Sequence, residues 1–192
     1  MGDNQLIFAG VKAGGSDGVG MVFLAPVGTP LPTSTSEALN VAFVNAGMIS
    51  EDGVTFKPDR SVKEVKAAGS TQVQRVIVTD EKTSFEYAFL ETNPYSLAVY
   101  SGQSLLSVTA DVTGEMATTY GGAAPQRVAM VVHTVDGNNI DRLCAPEVEV
   151  SGRKERKLGS GESDTRGVTC MAYPDSTGVS VYEYAKMEAL AA

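Results

Sequence analysis

Few side chains in this sequence are suited to chemistry. The single histidine, His133, lies in the apolar run VVHTV, and the two cysteines are Cys144 and Cys170. A catalytic nucleophile needs an oriented base beside it, and the sequence supplies no such context around His133. Structural zinc takes four Cys or His ligands, one more than the chain contains. The pattern therefore favours a partnered histidine and two free thiols in a reducing compartment over a zinc site or a catalytic base.

Two short motifs suggest phosphate or calcium binding but lack the required spacing. The run GGSDGVG at 14–20 has neither the Lys-Ser/Thr ending of a phosphate-binding loop nor the dinucleotide fingerprint. The stretch DGNNID at 136–141 carries Asp136, Asn138 and Asp141 without the spacing or final Glu of an EF-hand loop. A flexible arm and a hairpin turn explain these stretches better, and we expect no cofactor and no metal.

Basic residues are concentrated in GRKERKLGSGES at 152–163, where four of them surround Glu155 within five positions. Phosphate binding is one interpretation of such a run. Because the chain is acidic overall, a solvated loop is favoured, or a patch that meets an acidic neighbour across an interface. No nucleophile, carboxylate pair or cofactor motif stands out, so we expect the protein not to be an enzyme.

Length and charge limit the possible classes further. The 192 residues suggest one domain. A net charge of −8 and a pI near 4.7 make the chain a poor candidate for gripping nucleic acid, although an acidic surface could repel DNA that slides past. The opening MGDNQLIFAGVKAGG lacks a signal-peptide pattern, and no window of about 20 apolar residues occurs, so we expect no membrane insertion.

The first 35 residues read as an extended N-terminal arm. They combine the glycine run with a proline-rich stretch, APVGTPLPTSTS, that favours extended and unpaired chain. Ser34 and Glu37 then have the spacing of a capping box, and helical spacing of apolar residues continues up to Gly47. We therefore predict a short helix between Ser34 and Gly47.

Strand patterns dominate the rest of the chain. TSFEYAFLE alternates cleanly and puts Phe85, Tyr87 and Phe89 on one face. Asp-Gly pairs at 52–53 and 136–137 predict hairpin turns. Further strand patterns are TQVQRVIVTDE, SLLSVTADV, RVAMVVHTV, PEVEV, GVTCMAY and GVSVYEY.

A second helix is indicated by NPYSLAVYSG. Asn93 can cap it, Pro94 suits its first position, and Gly102 can end it. We predict a mainly β fold, a β-sandwich or barrel with one or two flanking short helices, over residues 36–184. Residues 185–192 form a C-terminal tail with helical propensity that frays unless it is docked.

The stretch EDGVTFKPDRSVKEVKAAGSTQ at 51–72 is too polar for the core and too long for an ordinary turn. With its surroundings it resembles the major tail protein, or tail tube protein, of long-tailed non-contractile bacteriophages. The matching features are a proline-rich LAPVGTPLPT, an ISEDGV turn, the charged stretch, an F-x-Y-x-F-x-E-x-N strand and a helix ending in VYSG. RVAMVVHTVDGNNIDRLCAPEVEV and VTCMAYPDSTGVSVYEY resemble the closing strands of that family.

The resemblance implies a structural virion protein that forms hexameric rings stacked head to tail around a channel for DNA. It implies that the long loop at about 51–72 is ordered by a neighbouring subunit. Its candidate interface residues are Phe56, Lys57, Asp59, Arg60, Lys63, Glu64 and Lys66. The implied partners are other copies of the chain, a tape measure protein, a tail terminator and tail-tip or baseplate proteins, with assembly in the host cytoplasm and DNA passing without specific binding.

Three other functions fit the pattern less well. A capsid decoration protein, or the inner tube of a contractile injection system, would also be a structural β protein. A carbohydrate-binding adhesion module would want exposed aromatic platforms, and this chain has no Trp.

Overall fold

The computed structural model describes residues 12–13, 21–69, 71–121, 126–159 and 163–190. Nine strands lie in these ranges. They are β1 Lys12–Ala13, β2 Val22–Pro26, β3 Val44–Asn45, β4 Thr55–Lys66, β5 Val73–Phe89, β6 Arg127–Asp136, β7 Asn139–Arg153, β8 Arg166–Tyr173 and β9 Tyr182–Lys186. One α-helix, α1, spans Pro94–Ser101, and a 3-10 turn spans Glu188–Leu190. The mainly β prediction is confirmed.

All nine strands belong to one antiparallel sheet with the order β3-β2-β6-β7-β8-β5-β4, to which β1 adds on β6 and β9 on β7. The chain between β3 and β4 closes this sheet. Ala46 N donates to Val22 O at 2.9 Å on one side, and Ser50 N donates to Ala88 O at 2.8 Å on the other. Because this segment joins β2 to β5, the sheet curls into a barrel around a single main core.

The core follows the alternation in β5. Phe85, Tyr87 and Phe89 are buried, as the sequence predicts, and the residues between them are partly exposed. Tyr87 and Phe89 pack edge to face with ring centroids 5.1 Å apart. The inward faces of the other strands contribute mostly β-branched and small residues to this core.

Helix α1 forms where the capping residues predict it. Asn93 Oδ1 accepts from Ser96 N at 2.8 Å, and Ser96 Oγ accepts from Asn93 N at 3.0 Å. Gly102 ends the helix in the left-handed region, at φ 80°. The residues from 96 to 101 are all buried, so the helix is packed into the protein on more than one side. It is too short to cross a membrane, and none of the described helices is long and apolar enough to do so.

The predicted helix between Ser34 and Gly47 is wrong. The capping contact forms, since Glu37 N donates to Ser34 Oγ at 3.1 Å, but no helix follows. The carbonyl oxygens of Ser34 and Glu37 instead accept from Arg142 Nη1 at 2.7 and 2.8 Å. A long-range arginine thus occupies acceptors that a helix would use for its own N–H groups.

Part of the expected N-terminal arm is also a strand. β2 lies inside the sheet between β3 and β6, and Val22, Leu24 and Ala25 are fully buried. The proline-rich stretch therefore begins at the end of a core strand, and Pro26 is that strand's last residue. Residues 1–11 and 14–20 of the expected arm lie outside the described residues.

The two Asp-Gly pairs have different outcomes. The pair at 136–137 connects β6 to β7 as a hairpin, with Asp136 opposite Asn139 and Gly137 at φ 62°. The pair at 52–53 forms a turn, in which Gly53 N donates to Ser50 O at 2.9 Å. That turn joins two segments that both pair with β5, so it shifts the chain along one edge instead of making the predicted hairpin.

Two other strand predictions need correction. SLLSVTADV, at 104–112, forms turns and a single bridge, with Ser107 N bonded to Ser104 O at 3.0 Å. Its Leu105 and Val108 are buried without strand pairing. In GVSVYEY only the part from Tyr182 onward belongs to a strand, because the turn held by Asp175 precedes it.

Candidate functional site

The charged stretch at 51–72 contributes one strand of a long projecting hairpin. β4 pairs with β5 from Thr55 opposite Glu86 to Lys66 opposite Val73. β8 supports β5 only from Thr83 onward. Residues 59–66 and 73–82 therefore form a two-stranded ribbon without a third strand among the described residues, and its β4 half is roughly 26 Å long at 3.3 Å per residue.

Many of the charged side chains pair within the hairpin itself. Lys57 Nζ lies 2.6 Å from Glu86 Oε1, and Arg60 Nη2 lies 2.8 Å from Glu81 Oε1. Hydrogen bonding to Lys57 lowers the pKa of Glu86, and bonding to Glu81 raises the pKa of Arg60. Ion pairs this exposed stabilise little, and an isolated two-stranded ribbon is marginal in water.

A bulge in β5 places Val78 on the same face of the ribbon as Val62, while Val65 and Ile77 lie on the other face. The register shifts between Ser61 and Val62, so Ser61 lies opposite Asp80 and Val62 opposite Val78. Residues directly opposite each other share a face. Val62 and Val78 therefore lie on the same face as Phe56 and Phe85, which pack together at the root with centroids 5.2 Å apart.

This face continues from the barrel into solvent, and the ion pair of Arg60 with Glu81 lies on it between Phe56 and the exposed valines. Val76, opposite Glu64, lies on it as well. Val62, Val76 and Val78 are 52%, 54% and 49% exposed. We name these three residues the valine strip. An apolar strip on a thin, unsupported ribbon is typical of a surface that becomes covered on association.

The structure places all seven sequence-predicted interface residues on β4. Phe56 and Lys57 are at the root, where Phe56 packs against the core, whereas the other five are exposed along the ribbon. The interface residues predicted from the sequence do not include the β5 half of the ribbon, with Val76 and Val78. Their apolar character was visible in TQVQRVIVTDE, but that alternation put them on the face opposite Ile77 without revealing a two-stranded ribbon.

The histidine and the two cysteines, which could in principle take part in chemistry, have structural positions in the fold. His133 is buried, and its Nδ1 accepts from Arg142 Nε at 2.9 Å. Cys144 and Cys170 are free and buried, and burial raises the pKa of each thiol to about 12. Within the described ranges, no group of three or more His, Cys, Asp or Glu side chains is placed to hold a metal ion.

His133 gives the fold a defined acid sensitivity. Burial, and then the charge of Arg142, lower the pKa of His133 from 6.5 to about 4. The unfolded chain therefore binds a proton between pH 6.5 and 4 that the folded chain does not, so stability falls as the pH drops through this window. We expect His133 to contribute a loss on the order of 3 kcal/mol.

Urea unfolding at a series of pH values measures this loss. His133→Gln retains an acceptor for Arg142 but cannot titrate, so its stability should change less between pH 6.5 and 4 than that of the unsubstituted chain. Equal changes in the two proteins would contradict the assignment.

A family model described as phage tail tube protein matches residues 15–191 of the chain. No curated protein matches the chain. The family match includes β2, the hairpin and the closing strands of the barrel.

Proposed function

We propose that this chain, which belongs to the phage tail tube protein family, forms hexameric rings that stack head to tail into the DNA conduit of a non-contractile tail. As a family member it is a structural component of the virion tail and not an enzyme. The single observation that best supports assembly is the ribbon, with its exposed valine strip and an outer β4 edge on which no other described strand pairs.

The ribbon has two ways to bind a neighbouring copy. Its valine strip can be buried against an apolar surface, at about 25 cal/mol for each Å² of apolar area removed from water. The outer edge of β4 is the last position in the sheet order, so its backbone N–H and C=O groups can pair with a strand of another copy. Closing six such sheets into a ring would remove these edges.

The other finer features of the proposal follow from charge and context. A chain of net charge −8 gives the tube an acidic character that disfavours adhesion of DNA phosphates in the channel. Heterologous contacts between rings leave the stack open along one direction. A tape measure protein, a tail terminator and tail-tip or baseplate proteins would then set its length and ends, with assembly in the host cytoplasm.

Negative-stain electron microscopy of concentrated protein, with light scattering, tests the proposal. We expect hollow tubes or stacked six-membered rings, with tail-tip proteins added if a nucleus is needed. Particles that remain monomeric under both conditions would contradict it. A requirement for a sheath protein would instead identify the tube of a contractile system.

The valine strip gives a more specific prediction. Val76→Asp with Val78→Asp should raise the protein concentration needed for assembly at least about tenfold, because each change replaces roughly 1 kcal/mol of apolar burial with the desolvation of a charge. The melting temperature should stay near that of the unsubstituted protein, since both positions are outside the core.

Light scattering across a dilution series measures this effect. Val112→Asp is the matched control, because Val112 is fully exposed in a loop away from the hairpin. If the double variant assembles at the same protein concentration as the unsubstituted protein, the valine strip is not part of the interface.

A further inference from the structure

A cavity of about 440 Å³ is lined by residues of β6, β7 and β9 and by the chain from Glu51 to Phe56. Tyr173 is the last residue of β8 and lies opposite Glu147. Farther along the same side of β7, β9 pairs with residues 140–144, so β9 takes the place of β8 beside β7. The cavity lies between β7 and the root of β4. Its floor is apolar and consists of Met21, Val54, Phe56, Val132 and Leu143.

Four carboxylates line the same cavity, and none of its lining residues is basic. They are Glu51, Asp52, Asp141 and Glu183. Asp141 Oδ1 is buried and has no hydrogen-bond partner among the described residues. Burial, and then the charge of Glu183, raise the pKa of Asp141. We name this cavity the acidic cleft. Its carboxylates would be stabilised by a cationic group brought in from outside.

The basic run at 153–157 lies on a loop whose backbone is anchored. Lys154 N donates to Gly167 O at 2.8 Å, and Tyr100 Oη donates to Lys154 O at 2.7 Å. Arg156 is held in an ion pair with Asp164. Arg153 and Lys157 are exposed and make no ion pair within the described residues. We name residues 153–157 the basic loop. It presents fixed positive charge to solvent.

The acidic cleft and the basic loop lie toward opposite ends of one strand. Asp141 is near the start of β7, beside the hairpin turn to β6, and Arg153 is its last residue. The two are separated by roughly 40 Å of extended strand at 3.3 Å per residue. In a stack of copies whose axis runs along β7, the basic-loop end of one copy faces the cleft end of the next.

We propose that the basic loop of one copy docks into the acidic cleft of the next copy along the stack and sets the head-to-tail polarity of the tube. This proposal rests on the proposed function. Lysine and arginine fit the cleft because their alkyl stems can cover its apolar floor while their charged ends reach the carboxylates. Opposite charges at the two ends also disfavour head-to-head stacking, which would bring like charges together.

Charge exchange between Lys157 and Glu183 tests this contact in the full chain. Lys157→Glu alone and Glu183→Lys alone should each raise the concentration needed for tube formation about tenfold. The double variant should restore assembly to near the unsubstituted value. Both residues are exposed, so each variant should keep its circular dichroism spectrum and melting temperature.

A second double variant, Lys157→Glu with Glu115→Lys, is the matched control. It has the same net charge as the exchange variant, but Glu115 lies in an exposed loop outside the cleft. It should therefore not restore assembly. If both double variants restored assembly, the change in the concentration needed for tube formation would be explained by net charge alone. That result would overturn the docking proposal.

The remaining outcomes distinguish failure of the docking proposal from failure of the tube proposal. If the unsubstituted protein forms tubes and the single variants match it, or if the exchange variant fails to restore assembly, the docking proposal is wrong and the tube proposal stands. If the unsubstituted protein forms no tubes or rings even with tail-tip proteins, the tube proposal fails and the docking proposal fails with it.

Discussion

Replacing residues 61–80 with Asn-Gly should give a folded protein that no longer forms tubes. Arg60 and Glu81 lie directly opposite each other, so a two-residue turn can join them. The replacement removes the valine strip and most of the outer β4 edge. It retains the pairing of β5 with β8 from Thr83 to Phe89 and the contact between Phe56 and Phe85. Assembly should be lost because the ribbon carries the proposed contacts between copies.

Sedimentation velocity and negative-stain microscopy would measure this result. A sharp thermal transition near that of the unsubstituted protein would establish that the barrel is intact. Tubes formed by the truncated protein would exclude the ribbon as an assembly element. Loss of the thermal transition would instead show that the ribbon belongs to the cooperative fold, although none of the described strands pairs with it as a third strand.

Phe85→Ala should lower the free energy of unfolding of the monomer by about 3–5 kcal/mol. Phe85 is fully buried, contacts the ring of Phe56, and lies where β5 is paired on both sides. Its removal leaves a cavity that the paired backbone cannot readily close. The size of the effect is comparable with much of the stability of an ordinary domain.

Urea unfolding under non-assembling conditions measures this change. Val76→Ala, on the same strand but in the unsupported ribbon, is the control and should change the free energy of unfolding by less than about 0.5 kcal/mol. A loss below about 1 kcal/mol for Phe85→Ala would contradict the placement of Phe85 in the core.

The sequence is most informative where neighbouring residues decide the structure. The alternation of Phe85, Tyr87 and Phe89 predicts both the strand and its buried face, because the strand period is two. Asn93, Pro94 and Gly102 predict α1 because capping involves residues within a few positions of each other. The β-rich class follows from many such runs separated by turn residues.

Long-range contacts explain the wrong predictions. The capping signal at Ser34 is genuine, but Arg142, more than 100 positions away, takes the carbonyl oxygens of Ser34 and Glu37. β2 was hidden because a short apolar run between a glycine run and prolines reads as an arm, although its pairing with β6 buries it. Neither the arginine contact nor the pairing of β2 with β6 can be predicted from the residues close to it in the sequence.

The candidate site could be predicted from the sequence only in part. The polarity of residues 51–72 correctly indicates that most of them are outside the core, although Val54 and Phe56 pack against it. The sequence does not reveal the bulge that brings Val78 opposite Val62 and aligns the valine strip with Phe56. Nor can it reveal the acidic cleft, since Asp52, Asp141 and Glu183 are brought together only by the closed barrel.

The most direct test of the central claim, that the ribbon joins copies of the chain, is a cryo-electron microscopy reconstruction of the assembled tube. We expect sixfold rings in which residues 59–66 and 73–82 of each copy lie against a neighbouring copy and the valine strip is buried. A reconstruction in which this ribbon extends into solvent and touches no other copy would contradict the claim.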